Sequence, residues 1–593
     1  MHGRILLAIG LLAGMLDAAP AVETLLHVRV PMRDKVKLDT NVFHPAAPGR
    51  YPSILIRTPY GKGPDPGGYQ YFIEHGYALV LQDVRGRYES EGGFRPLEQE
   101  GADGWDTLEW IARQAWSNGS VGMLGGSYLG IAQWKVAVLN NPHLKAIFPV
   151  VSGYDDYLDR FYSPGGAMKL GHRLLWLSEN LLLPGLKRPS FGDFVTHLPL
   201  RTADRTATGQ TIPFYQQSLD HPSYDGFWKQ LSVRQEIAHV HAAVFAVGGW
   251  YDNYVESDLE AFSALEKAAK PGSGRHHVLV GPWPHNMSIK FAGVDYGPEA
   301  GSPIRRYQLD FFDRWVKGVP EIRPAHFDSE DGPVRIFVMG ANRWRAEHEW
   351  PLARTRYTQL FLAGKGHANG SDKGGDLDWK TGQKDKPDEY VYDPKVPAPT
   401  LGGAVCCNPR VFPWGPLDQR GVETRKDVLV YTSAPLKRDL EVTGPVRVVL
   451  YASTNQPDTD FTAKLVDAFP SGEARILTDG ILRLRYRHGL EKAELAHPGE
   501  IYPLTIDAGV TSNVFLPGHR IRVEISSSNF PRFDRNPNTG RPIADETELR
   551  KAHQSVYHGA QFPSHVLLPV IPEVSGGTAG KKTPEAGLSF RER

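Results

Sequence analysis

At 593 residues, with 41% hydrophobic and 23% charged side chains, the chain exceeds a single core and reads as a globular protein of roughly two or three domains. Its 67 basic and 67 acidic residues cancel. That balance excludes nucleic acid and an anionic membrane surface as partners, because both require a basic footprint.

The amino terminus pairs Arg4 with an apolar stretch over 5–16 and small residues at Ala19-Pro20-Ala21. This is the pattern of a secretory signal peptide over 1–21, and it predicts a periplasmic or secreted protein. A buried amino-terminal helix is the alternative, weakened by Asp17 and Pro20. No later stretch reaches the roughly 18 uninterrupted apolar residues of a membrane helix.

Segments 25–30 and 37–42 read as strands joined by a charged turn, and 53–57 and 77–81 as nearly continuous apolar runs that suit parallel strands buried on both faces. Residues 102–115 carry Trp105, Leu108, Ile111 and Ala112 at helical spacing. The run 121–124 then enters Gly125-Gly126-Ser127-Tyr128-Leu129-Gly130, with helix-compatible sequence behind it. Strands follow at 146–151, 242–247 and 277–280, and a helix at 305–315. Alternating strands and helices predict a doubly wound α/β domain over 22–152 and 242–325.

Residues 153–241 break the alternation and predict a helical cap over the carboxyl edge of the sheet. From 333 the texture changes to period two, at 334–338, 446–451 and 520–525. In the last of these Ile521, Val523 and Ile525 share a core face, and Arg520, Arg522 and Glu524 the solvent face. A β-sandwich is expected over 326–572, with an irregular excursion at 364–425 and a disordered tail over 573–593.

The adjacent Cys406 and Cys407 are expected as two thiols. Neighbouring α-carbons lie about 3.8 Å apart, so bridging them needs a strained peptide. No histidine segment with zinc spacing accompanies them, so no metal site is expected.

A serine among glycines at a strand-to-helix turn is how an α/β-hydrolase presents a nucleophile, which makes Ser127 the candidate. Such a serine needs a base, and the base an orienting acid. Asp252, just after the strand 242–247, and His285, just after 278–280, follow Ser127 in the order these folds use. His276 and His277 are nearby but on the strand itself. The oxyanion of acyl attack needs two donors. One is the Tyr128 backbone N–H; the other lies in Arg57-Thr58-Pro59-Tyr60-Gly61, where Tyr60 offers a rigid phenol and Thr58 a poorer hydroxyl. An aromatic plug at the sheet edge is an equal reading of Tyr60.

Taken together, Arg57-Thr58-Pro59-Tyr60-Gly61-Lys62, Gln82-Asp83-Val84-Arg85-Gly86-Arg87, the Ser127 turn, Gly249-Trp250-Tyr251-Asp252 and Gly281-Pro282-Trp283-Pro284-His285 resemble the cocaine esterase and X-Pro dipeptidyl-peptidase family of serine hydrolases. Asp458-Thr459-Asp460-Phe461 and Ser526-Ser527-Ser528-Asn529-Phe530-Pro531-Arg532-Phe533 extend the resemblance to the carboxyl-terminal part. It implies an α/β-hydrolase with a helical cap and an all-β jelly-roll (galactose-binding-like) domain. It also implies Ser127 as nucleophile, His285 as base, Asp252 as orienting acid, and the Tyr60 hydroxyl with the Tyr128 N–H as oxyanion hole. Asp83 and Arg85 are read as an ion pair bracing the turn at Gly86. No cofactor or metal is implied.

The expected activity is hydrolysis of a small-molecule ester or amide through an acyl-enzyme. X-Pro dipeptidyl-peptidase and glutaryl-7-aminocephalosporanic acid acylase-like activities are the alternatives within the family, and a non-catalytic carbohydrate- or surface-binding protein is the alternative outside it. The family's α-amino acid ester hydrolases hold the substrate ammonium with carboxylates two and three residues after the catalytic acid, where this chain has Tyr254 and Val255. An aromatic pocket of Tyr154, Phe161, Tyr162 and Trp283 accepting neutral acyl groups is therefore expected, with Asp155, Asp156 and Glu256 as the acids from which a rearranged cluster could form.

Overall fold

The computed structural model describes residues 21–269, 274–291, 293–327, 331–364, 366–369, 374–383 and 385–572. The expected leader, apart from Ala21, and the expected tail fall outside the described residues. Among those residues no helix is long and apolar enough to cross a membrane.

The amino-terminal half is built on one sheet. Its strands are β1 (Val22–Pro31), β2 (Lys37–Pro45), β3 (Tyr51–Thr58), β4 (Ala78–Asp83), β5 (Ser117–Gly126), β6 (Leu144–Val150), β7 (Ala243–Tyr251) and β8 (His276–Pro284). They lie in the order β1-β2-β4-β3-β5-β6-β7-β8. From β4 to β8 all neighbours run parallel, while β1 and β2 add an antiparallel edge. The apolar runs require this arrangement, because successive side chains of a strand point to opposite faces and here both faces are covered. Leu55, Val80, Met123, Ile147 and Val244 meet Leu108, Trp134, Leu259 and Phe262 from the helices Glu100–Ala112, Tyr128–Ala137 and Val255–Ala268 on one side. Ile54, Leu79, Leu124, Phe148 and Phe245 meet Tyr307, Phe311 and Phe312 from Ile304–Trp315 on the other.

Two further strands extend this sheet. Val334–Val338 pairs parallel with β8, and Arg343–Glu347 pairs antiparallel with Val334–Val338. The period-two strand expected at 334–338 is present and pairs into the amino-terminal sheet. Alternation reports a strand, not which sheet takes it, and the exposed edge of β8 captures this one.

Residues 153–241 are helices and turns, among them Asp156–Phe161, Leu170–Asn180, Ala203–Thr208, Pro213–Asp220 and Gly226–Leu231, around a core with Tyr157, Leu174, Phe194, Tyr215 and Trp228. The carboxyl-terminal domain is all β. It is an eleven-stranded system whose long central strand Leu440–Thr454 pairs with Tyr502–Phe515, Ala552–Tyr557 and His565–Ile571. In Arg520–Ser526 the core face holds Ile521, Val523 and Ile525 as read from the sequence, but Glu524 is buried too. Lys464 of the neighbouring strand stands 3.2 Å from it, and burial pushes its carboxyl up to about 7.

The cap docks on this domain through a backbone contact. The Arg483 N–H donates to the Gly165 carbonyl at 2.9 Å, and a Cβ at Gly165 would stand 1.7 Å from the Ile481 carbonyl oxygen. Only glycine permits that approach.

Candidate active site

Each of the three residues read as catalytic is the first residue after a sheet strand: Ser127 after β5, Asp252 after β7 and His285 after β8. These strands are parallel, so the three side chains emerge at the same carboxyl edge, where α/β sheets bind ligands. Ser127 has φ 54° and ψ −123°, a conformation that non-glycine residues rarely adopt and that lifts its hydroxyl off the strand end. Its neighbours explain the motif's spelling. A Cβ at Gly125, itself at φ 145°, would lie 2.4 Å from the Leu129 Cβ, and one at Gly130 would lie 2.5 Å from the Ser152 Cβ. A Cβ at Gly126 would meet nothing closer than the Val150 oxygen at 3.5 Å. Gly130 is thus the close-packing position of this turn.

Behind the serine, the His285 Nδ1 stands 2.6 Å from the Asp252 Oδ2. Asp252 is fully buried, and its other oxygen accepts the Tyr254 N–H at 3.0 Å. A buried carboxylate on Nδ1 selects the tautomer that leaves Nε2 unprotonated, the form a general base needs. The Tyr254 ring lies 5.7 Å from that of His285 and lines the same narrow cavity as Ser127, together with Leu97, Ile131, Trp176 and Phe214.

Tyr60 reaches this cavity from the loop after β3. Its hydroxyl accepts the Trp176 indole N–H at 3.1 Å and lies near the Ser127 side chain. With the indole as donor, the phenol keeps its own proton to donate. The ring is 38% exposed, but burial around the hydroxyl raises its pKa, so it stays a neutral donor. The Thr58 hydroxyl is occupied within the loop, accepting the Tyr60 N–H at 3.0 Å. The Tyr128 N–H heads the helix Tyr128–Ala137, where the first N–H groups have no intrahelical acceptor. The Tyr128 ring lines the cavity and is anchored at its far end: its hydroxyl donates to Glu100 Oε1 at 2.7 Å, and Glu100 Oε2 accepts Arg57 Nη1 at 2.8 Å.

Residues 34–287 match the X-Pro dipeptidyl-peptidase (S15 family) domain, and residues 325–567 match the X-Pro dipeptidyl-peptidase C-terminal non-catalytic domain. Over 578 residues, 92% of this chain and 98% of the other, the sequence is 40% identical to cocaine esterase of Rhodococcus sp. (strain MB1 Bresler). The chain belongs to the X-Pro dipeptidyl-peptidase (S15) family of serine hydrolases. Among solved structures it is similar to an aminopeptidase from the marine sediment archaeon Thaumarchaeota archaeon, at 26% identity and a TM-score of 0.81, covering 93% of this chain and 97% of that one. It is also similar to an α-amino acid ester hydrolase, at 26% identity and a TM-score of 0.79, covering 96% and 98%.

Within this S15-family hydrolase the pocket residues differ from those expected. Tyr154, Phe161, Tyr162 and Trp283 do not line the Ser127 cavity. Tyr154 packs between Trp134 and Arg234, the Tyr162 hydroxyl donates to the Ser218 carbonyl inside the cap, and the Trp283 indole donates to the Ala300 carbonyl beside the sheet. Phe161 lies one layer back, its ring 4.1 Å from the Arg173 guanidinium carbon. These aromatics fill cores, and the cavity's own aromatics are Tyr128, Trp176, Phe214 and Tyr254. Trp176 and Phe214 sit on cap helices, at positions that only the docking of the cap turns towards Ser127.

The Asp83–Arg85 pairing is also corrected. Asp83 accepts the Lys62 N–H at 2.8 Å and so holds the loop that carries Tyr60. Arg85 bonds Asp103 at 2.6 and 2.9 Å and Asp34 at 2.6 Å. Consecutive odd positions of an extended segment share a side, but each finds a nearer partner across the fold. Cys406 and Cys407 are joined in a disulfide rather than standing as two thiols; Cys407 takes φ 132°, which brings adjacent side chains together. Both sulfurs lie within 4.8 Å of a His172 ring nitrogen. His276 and His277 are buried in β8 and held neutral, their pKa values lowered to about 4 and about 3, which removes them as alternative bases.

Proposed function

We propose that this hydrolase is an exported serine esterase or amidase in which Ser127, His285 and Asp252 form the catalytic triad. His285 Nε2 takes the Ser127 proton as Oγ attacks the acyl carbon. The Tyr60 hydroxyl and the Tyr128 N–H donate to the oxyanion, and His285 returns the proton to the departing alcohol or amine. Water then repeats the cycle to free the acid. The observation that carries this reading is the 2.6 Å contact between His285 and Asp252 at the ends of adjacent parallel strands, with Ser127 at the same edge. The leader sequence supports export, and the largely antiparallel pairing of the strands in the carboxyl-terminal domain supports a jelly roll.

Substrates without a free ammonium are favoured. Asp155 is bonded to Ser232 and Tyr224, Asp156 is paired with Lys135 and Arg160, and burial beside Asp507 holds the Glu256 carboxyl well above the usual carboxylate range. None of the three lines the Ser127 cavity, so an ammonium there would lose its hydration without a carboxylate to replace it. A fluorophosphonate probe should label Ser127 in wild-type protein and fail to label Ser127→Ala. Folded wild-type protein without an adduct would sink the enzyme reading. Turnover of 4-nitrophenyl butyrate should exceed that of an α-amino acid ester or a Gly-Pro anilide.

A further inference from the structure

Two charged groups line the Ser127 cavity without a part in the triad or the oxyanion hole, Arg160 and Arg173, and only the first is paired. Arg173, on the cap helix Leu170–Asn180, lines the cavity beside His172, Trp176, Phe214 and Tyr254. It is 5% exposed, yet among the described residues no carboxylate pairs with it. Its neighbour Arg160 is matched by Asp156, which also serves Lys135. Among the described residues Arg173 makes one hydrogen bond, from Nη2 to the Arg160 carbonyl at 3.0 Å, and its Nε has no partner. The Phe161 ring at 4.1 Å is its other support. Burial lowers its pKa to about 10, which leaves it cationic at neutral pH.

Asp156 acts on Arg173 only through space, its two oxygens being bonded to Arg160 and Lys135, and the groups lining the cavity do not cancel the charge. His172 is buried, its Nδ1 is unpartnered, and its pKa is held well below the ordinary range, so it is neutral. Tyr60 and Tyr254 are neutral phenols with raised pKa values. A buried cation without a counterion is costly, and a fold that keeps one at the edge of a reaction cavity is preorganised for an anion. The cavity measures about 20 Å³, room for about one water, whose place a carboxylate oxygen would take.

We propose that Arg173 is a specificity-determining residue that receives a carboxylate carried by the substrate, so that the preferred esters or amides are anionic. The inference rests on the reading of Ser127 as nucleophile. It also strengthens the exclusion of amines, because a substrate ammonium would meet a like charge in the cavity. Guanidinium suits the role because its N–H groups lie in one plane and match carboxylate geometry.

The test compares charged and neutral twins of one ester. On the acyl side these are the mono-4-nitrophenyl ester of adipic acid and its methyl ester; on the leaving-group side they are 4-carboxyphenyl butyrate and its methyl ester. In one of the two series the charged twin should be preferred in kcat/KM by about 10- to 100-fold, the value of one hydrogen bond to a charged group. Arg173→Gln should collapse that ratio towards one, and Arg173→Lys, which keeps the charge, should retain most of it. The series that responds tells whether the carboxylate belongs to the acyl or the leaving group. Ratios near one in both series, or ratios that Arg173→Gln leaves intact, would overturn the inference. Calorimetric titration of Ser127→Ala protein with monomethyl and dimethyl adipate, and with 4-hydroxybenzoate and its methyl ester, reads the same contact without turnover. A failure of hydrolysis is thereby separated from a failure of recognition.

Discussion

Tyr60 uses one oxygen in two directions. It accepts the Trp176 indole proton and, near Ser127, keeps its own proton to donate to a developing oxyanion. This geometry argues against the plug at the sheet edge that the residue type alone allowed. Removing the hydroxyl in Tyr60→Phe should lower kcat by about 10²- to 10³-fold, with little change in KM, because one donor acts on the transition state and not on the ground state. A change confined to KM would instead make Tyr60 a substrate contact. At the same scale, Asp83 shows how a residue can serve a site that it does not touch: through Lys62 it holds the loop on which Tyr60 stands.

At the scale of elements, the turn between β5 and the helix Tyr128–Ala137 is determined by how closely the helix approaches its neighbours. The first glycine is required by a positive φ and by Leu129, the last by Ser152, and the middle one by neither. Gly130→Ala should therefore lower the melting temperature by overpacking, about 1–3 kcal/mol in stability. Gly126→Ala should cost far less. Equal losses in thermal unfolding would show that the turn's chemistry, and not helix approach, sets the motif. The cap helix Leu170–Asn180 is the second decisive element, since it brings His172, Arg173 and Trp176 to the cavity from about one turn of helix.

For the whole molecule, the hydrophobic core is continuous across the boundary between domains. Trp250 and Val255 of the hydrolase belong to the same cluster as Leu504 and Ile506 of the all-β domain. Stability should then respond to groups buried far from the site. His277 sits among Phe245, Phe311 and Phe327, and burial lowers its pKa from 6.5 to about 3. The unfolded chain takes up a proton as pH falls below about 6.5, while the folded one resists until about 3. The stability that comes from a neutral His277 is thus complete above about pH 6.5 and is lost on acidification towards its folded pKa. Denaturant unfolding of His277→Phe should recover about 2–3 kcal/mol of that loss at about pH 4.5, relative to its own value at about pH 7.5. A variant with the same pH slope as wild type would contradict this.

The sequence by itself determined what local chemistry controls. Apolar runs without alternation required strands covered on both faces, and glycines around Ser127 required a tight strand-to-helix turn. Turn residues after strands put Asp252 and His285 at the edge where Ser127 emerges. All of these follow from φ/ψ limits and side-chain period within a few residues. Only the tertiary structure decided which surfaces meet. The strand Val334–Val338 alternates correctly for either sheet, and β8 took it because β8 presented an open edge. Glu524 has the period of a solvent-facing residue but is buried against Lys464 of the next strand. Cavity aromatics and core aromatics have the same composition, so Trp176 and Tyr162 could be told apart only once the cap was docked. Arg173 reads in the sequence as one more cap residue; its meaning comes from the carboxylate that no neighbouring element brings to it, which long-range packing alone decides.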